Sequence, residues 1–193
     1  MWSPLRPFLF ALLFGIGQQA SALEVGGVNF APQVEVSGSK LELNGAGVRY
    51  KAVFKVYAAG LYVGRKAGSL DDILKAPGPK RMSITMLRDI DAGELGKLFS
   101  RGMEDNMDRA AFVQLVPGIM RMSQIFSDHK KLMAGDSFTL DWIPGQGLSI
   151  AVKGKVQGAP FKEAEFFAAL MGIWLGKAPA DWQLKNALLD LKS

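Results

Sequence analysis

The 193-residue chain contains no cysteine and a single histidine, His129. Without cysteine there can be no disulfides, thiolate metal sites, thiol nucleophiles or iron–sulfur ligation. With one histidine, a His-rich zinc site is excluded, and a Ser-His-Asp triad would have to use His129. That residue sits in the polar stretch Ser127-Asp128-His129-Lys130-Lys131 and reads as a surface residue. No block of five like charges occurs, so nucleic acid is a poor partner despite a formal net charge of +5. No apolar run approaches the ~20 residues of a transmembrane helix. The acidic residues form no obvious catalytic dyad: Glu104 and Asp105 are adjacent on a helix, and Glu163 and Glu165 lie two apart, so neither pair shares a face. The glycine-rich pieces Leu43–Gly47 and Pro144–Gly147 lack the Lys-Ser/Thr pair of a phosphate-binding loop and read as turns. Neither a metal nor a cofactor is expected.

At the N-terminus, Arg6 precedes the apolar run Phe8–Ile16, polar Gln18 and Gln19, and the small-residue triplet Ala20-Ser21-Ala22. This pattern predicts a signal peptide over residues 1–22, cleaved after Ala22, and a periplasmic or secreted protein. Residues 23–193 are expected to form one domain. At that size roughly 70% of the unfolded surface is buried, enough for a core without covalent staples.

Along this domain, Val34–Val36 and Leu41–Leu43 alternate around Ser37-Gly38-Ser39, a hairpin signal, and Asn44–Gly47 reads as a turn or bulge. Val48–Val63 reads as one extended segment. In it Tyr57, Ala59 and Leu61 share a face, opposite Val56, Ala58, Gly60 and Tyr62. The small residues Ala58, Ala59 and Gly60 leave room for a close helix or for a ligand. Ser69, with Asp72 three residues on, caps a short helix that ends before Pro77-Gly78-Pro79, and Met82–Leu87 is a strand. Asp91–Phe126 is helical, capped by Asp91 with Glu94, and Pro117 predicts a break near Val116. Ser137–Ile143 and Leu148–Val152 form a hairpin, the second strand running on toward Val156. An amphipathic helix over Lys162–Leu175 stops at Gly176, and a last helix covers Ala180–Leu191. The order predicts an α+β fold: an open antiparallel sheet covered on one face by a layer of helices.

Gly45–Arg49 (GAGVR) followed by Phe54–Val63 (FKVYAAGLYV) resembles the chalcone isomerase-like family. So do Met82–Asn106 (MSITMLRDIDAGELGKLFSRGMEDN) and Phe166–Leu189 (FFAALMGIWLGKAPADWQLKNALL). The resemblance spans nearly all of Leu41–Leu189. VYAAGLYV is its most specific piece and is especially similar to the non-catalytic, fatty-acid-binding members; the precursor looks like the exported bacterial branch. It implies an antiparallel sheet, a helical layer and a cleft between them.

In the catalytic plant members of that family an Arg holds a ligand anion, a Thr and a Tyr surround an ordered water, and an Asn and a Ser or Thr lie at the far end. Here Arg49 matches the Arg. Tyr57 falls at the Thr position, as in the fatty-acid-binding members, while Leu95, Gly102 and Ile173 fall at the other three. The resemblance therefore implies a cleft lined by Tyr57, Ala59, Leu95, Leu98, Phe99, Met103 and Ile173 with Arg49 at one end, suited to a fatty acid or similar amphiphilic anion. Fully extended, the eight residues from Arg49 to Tyr57 would span roughly 26 Å, so the two can meet only if the chain turns near Ala52–Lys55. Arg88 and Arg101 are the alternative cations. Two other readings stay open: an isomerase or intramolecular lyase acting on a phenolic or unsaturated molecule, and an interaction partner for an envelope protein.

Overall fold

The structure is a computed structural model and describes residues 22–191. The expected signal peptide lies, apart from Ala22, outside the described residues. The chain opens with a small hairpin, β1 (Leu23–Val25) and β2 (Val28–Phe30). β3 (Gln33–Val36), β4 (Ser39–Lys51) and β5 (Phe54–Val63) follow. After α1 (Leu70–Lys75) come β6 (Lys80–Met86) and the short β7 (Ile90–Asp91). Two helices, α2 (Ala92–Glu104) and α3 (Arg109–Ser127), lead to β8 (Lys131–Leu132), β9 (Ser137–Ile143), β10 (Gly147–Val152) and β11 (Lys155–Val156). α4 (Ala164–Leu175) and α5 (Trp182–Leu188) complete the fold. Seven strands form one antiparallel sheet in the order β11-β10-β9-β6-β5-β4-β3.

The large core lies on the helix face of this sheet, where Leu61 and Ile84 meet Phe99 of α2, Phe126 of α3 and Trp174 of α4. The opposite face has its own cover. Phe30 of the N-terminal hairpin is buried with Ala58, Tyr62 and Leu41, and its ring sits where a side chain at Gly60 would be. The room beside Ala58–Gly60 is thus filled on that face by an aromatic ring from β2, neither by a helix nor by a ligand.

Several local expectations are corrected. Val48–Val63 is a hairpin: the chain reverses at Ala52-Val53, with Lys51 paired to Phe54. Asn44–Gly47 belongs to β4, with a bulge between Leu43 and Gly45. Asn44 is buried there; its Nδ2 donates to the carbonyls of Ala67 (3.0 Å) and Leu188 (2.7 Å), and its Oδ1 accepts from Ala67 N. The two glycines are bare so that α5 can lie on the strand: a Cβ at Gly45 would strike the Ala187 carbonyl, and one at Gly47 the Ala187 and Leu184 side chains. That approach buries Leu184 and Leu188, worth about 1.5–3 kcal/mol each.

Pro117 lies inside α3, and the helix break falls at Asp105–Asp108 instead. Pro117 is tolerated because it and Val113, whose carbonyl loses its partner, are on the exposed side of α3. β10 ends at Val152, and the chain turns back at Lys153-Gly154 before Val156. α4 is buried almost all round, from Phe166 to Leu175, so its sequence is that of a core helix more than an amphipathic one. His129 is half-buried, and its Nε2 finds no partner among the described residues.

Candidate functional site

The turn at Ala52-Val53 makes Arg49 and Tyr57 direct cross-strand partners on β4 and β5. The Arg49 guanidinium carbon lies 5.9 Å from the centroid of the Tyr57 ring, a cation–π contact. Together with Val56 they form the sheet wall of a cavity of about 320 Å³, near the lower end of the range for small-molecule sites. α2 supplies the facing wall through Leu95, Leu98, Phe99 and Gly102. Ile173 of α4 and the segment Ala178-Pro179-Ala180 close it.

That segment is fixed by Asn106, just past the end of α2. Its Nδ2 donates to the carbonyls of Gly102 (2.9 Å) and Ala178 (2.8 Å), and its Oδ1 accepts from Ala178 N (2.8 Å). Ala180 N donates to the Ile173 carbonyl at 2.8 Å. The wall is thus stapled to both helices by backbone-directed bonds, which hold the hollow open against collapse.

The polar groups of the cavity are few. Trp174 Nε1 donates to Tyr57 Oη at 2.8 Å in the buried interior. No acceptor among the described residues takes the Tyr57 hydroxyl proton, so a donor remains for a bound molecule. Burial pushes the Tyr57 pKa up to about 12, opposed by the Arg49 charge and the Trp174 bond. The hydroxyl is a neutral hydrogen-bond donor at any physiological pH. Half-buried Arg49 makes no ion pair among the described residues, whereas its fork can hold a carboxylate bidentately. Lys51, Arg101 and Asp105 stand at the exposed rim, where Arg101 lies 3.9 Å from the Asp105 carboxylate and Lys51 and Arg49 leave an excess of positive charge. The cavity is therefore apolar inside and positive at its mouth.

Of the residues expected from the sequence, Arg49, Tyr57, Leu95, Leu98, Phe99 and Ile173 meet around this cavity. Ala59 and Met103 are buried in the core and lie outside its wall. Ala59 pairs with Gly47, the strand position that α5 covers. Met103 is one residue, about 100° of helix, past Gly102 and so turns to the packed side of α2. Among the alternative cations, Arg101 reaches the rim, while Arg88 lies over the Phe54 ring at 5.2 Å, outside the wall. His129 takes no part. The sequence reading missed Trp174 and Asn106. A tryptophan within a fully apolar helix must place its N–H somewhere, and that was the signal for Trp174. Among the described residues, no cluster of three acidic or histidine side chains could hold a metal ion, and no helix is long and apolar enough to cross a membrane.

A family model described as chalcone isomerase-like matches residues 22–190. Among solved structures, the chain is similar to the crystal structure of a fatty-acid binding protein from Arabidopsis thaliana. The TM-score is 0.69 at 18% sequence identity, over 86% of this chain and 93% of that one. At that identity the likeness establishes the fold. No curated protein sequence matches the chain.

Proposed function

The chain belongs to the chalcone isomerase-like family, and from that premise we propose that it binds a fatty acid or similar amphiphilic anion, without catalysis, in the cavity between β4–β5 and α2. One observation carries the reading: Arg49, without a carboxylate partner among the described residues, stands beside the buried Tyr57 phenol at a hollow whose interior is apolar. Apolar walls supply the affinity, about 0.8 kcal/mol per buried methylene. Arg49 and Tyr57 select the acid head through charge-assisted and neutral hydrogen bonds. The Arabidopsis neighbour, a fatty-acid binding protein, supports the ligand class.

Leu95, Gly102 and Ile173, which the resemblance matches to polar positions of the family's enzymes, support a site without ring-closing activity. Such a reaction needs groups that polarise a ketone and hold a phenolate. The N-terminal pattern of Arg6, Phe8–Ile16 and Ala20–Ala22 supports export, with a mature chain beginning at Leu23. Native mass spectrometry of the protein purified from its own host tests the ligand reading. The expected result is a mass increment matching an aliphatic acid. A chain that comes off bare and takes up no added fatty acid contradicts it.

A further inference from the structure

The hairpin that carries Arg49 and Tyr57 ends in an unusual tip. Every other hairpin among the described residues turns on a glycine with positive φ: Gly26 and Gly27, Gly38, Gly145, and Gly154. The β4–β5 turn is Ala52-Val53, with Ala52 at φ 53. Two-residue hairpin loops favour Asn, Asp or Gly, and nothing in the turn geometry asks for valine. Val53 is 82% exposed and the adjoining Phe54 58%.

Basic side chains surround this apolar point. Lys51 and Lys55 flank it in sequence, and Arg88 lies over the Phe54 ring. None of the three forms an ion pair among the described residues. Carboxylates nearby in the chain or fold are engaged elsewhere: Asp89 with Lys131 at 2.8 Å, and Asp181 with the backbone of Tyr50, Gln183 and Leu184. The Asp181–Tyr50 bond also brings the N-terminus of α5 beside the hairpin, and with it Trp182, 60% exposed. An apolar tip, flanking Tyr and Trp, and unpaired lysines and arginine form the pattern of a segment that enters an anionic lipid surface.

We propose that the β4–β5 tip docks on an anionic bilayer, with Val53 and Phe54 in the interfacial layer and Lys51, Lys55 and Arg88 on lipid head groups. A stable protein partner would need about 800 Å² on each side, far more than a two-residue tip offers. Interfacial insertion needs only a few apolar side chains with basic neighbours. The placement also brings the cavity mouth, where Arg49 and Lys51 stand, to the lipid surface. The inference does not require the cavity to hold a fatty acid and stands or falls separately.

The cysteine-free sequence makes the test site-specific. Val53→Cys in the full chain is labelled with an environment-sensitive fluorophore, and Val156→Cys, exposed on the far edge strand β11, serves as the control. With vesicles of equal parts phosphatidylglycerol and phosphatidylcholine, the Val53 probe should shift to the blue and brighten several-fold. The Val156 probe should not change, and pure phosphatidylcholine should have little effect on either. Lys51→Ala and Lys55→Ala should each weaken partitioning about fivefold, the weight of one basic side chain at an anionic surface. An unmoved Val53 probe, an equal response at both sites, or a shift that follows protein concentration instead of lipid (a second copy on the tip) overturns the proposal.

Discussion

One side of α2 meets a filled space and the other a hollow one. Toward α3 and β9, the Phe99 ring lies 5.4 Å from Phe126 and 5.9 Å from Phe138, and toward α4 it lies 5.5 Å from Trp174. Toward β4 and β5, Leu95, Leu98 and Gly102 face Arg49 and Val56 across about 320 Å³. The same sheet and the same helix bound both. The difference lies in side-chain size and in polarity left over. The filled end has interlocking rings, while the hollow end has Gly102, Ala178 and Ala180, with an unpaired guanidinium beside them. Beyond its contact with the Tyr57 ring, this half-buried cation has no ion-pair partner among the described residues, which is a cost to folding, so the hollow end is not organised for stability.

The largest expected effect breaks the filled end. Phe138→Ala should cost about 3–5 kcal/mol in denaturant unfolding, whereas Leu98→Ala, half-buried on the cavity wall, should cost only about 1 kcal/mol. Equal costs would mean that the hollow is closed in solution.

Tyr57 joins the two ends through Trp174, and its titration should be visible in stability. The folded protein keeps the phenol proton until pH about 12, while the unfolded chain loses it near 10. Above pH 10 the folded state therefore binds more protons than the unfolded one. Stability should fall as pH rises through this window, by ~2 kcal/mol. Tyr57→Phe should flatten that fall. It should also cost about 1–3 kcal/mol at neutral pH, because Trp174 Nε1 is left without its acceptor. Unfolding curves across pH 8–12 for both proteins check the sign, and a Tyr57→Phe profile as steep as wild type contradicts the assignment.

Two glycine substitutions sharpen the contrast further. A Cβ at Gly102 would stand 3.1 Å from Cγ2 and 3.2 Å from Cγ1 of Ile173, a contact that a shift of a few tenths of an ångström toward the hollow relieves. The helix-propensity gain of about 1 kcal/mol should offset the adjustment, leaving Gly102→Ala near neutral. At Gly47 the new Cβ would meet Ala187 at 2.7 Å, so α5 must shift, at about 1–3 kcal/mol. Thermal unfolding should separate the two.

Where local chemistry sets the structure, the sequence was legible. Ser137–Ile143 alternates and is β9 from end to end. Ser69 and Asp91 cap their helices by accepting from Asp72 N and Glu94 N. The site was less legible because its key step is a turn without turn residues. Ala52-Val53 carries no Gly, Asn or Pro, so the reversal that pairs Arg49 with Tyr57 is set by the strands on either side. Pro117 misled for a related reason: solvent on the open side of α3 tolerates a lost hydrogen bond, and the real break at Asp105–Asp108 comes with the Asp108 cap on Ala111 N. The Trp174–Tyr57 bond, 117 residues apart in sequence, has no local signature.

The proposed site at the hollow end takes an acid head group on Arg49. Calorimetric titration of a fatty acid and its matching alcohol into wild type and Arg49→Ala tests it most directly. Arg49→Ala should weaken acid binding by about one to two decades, the weight of a charge-assisted hydrogen bond, and leave alcohol binding nearly unchanged. Equal losses for acid and alcohol, or no binding of either to wild type, would contradict it.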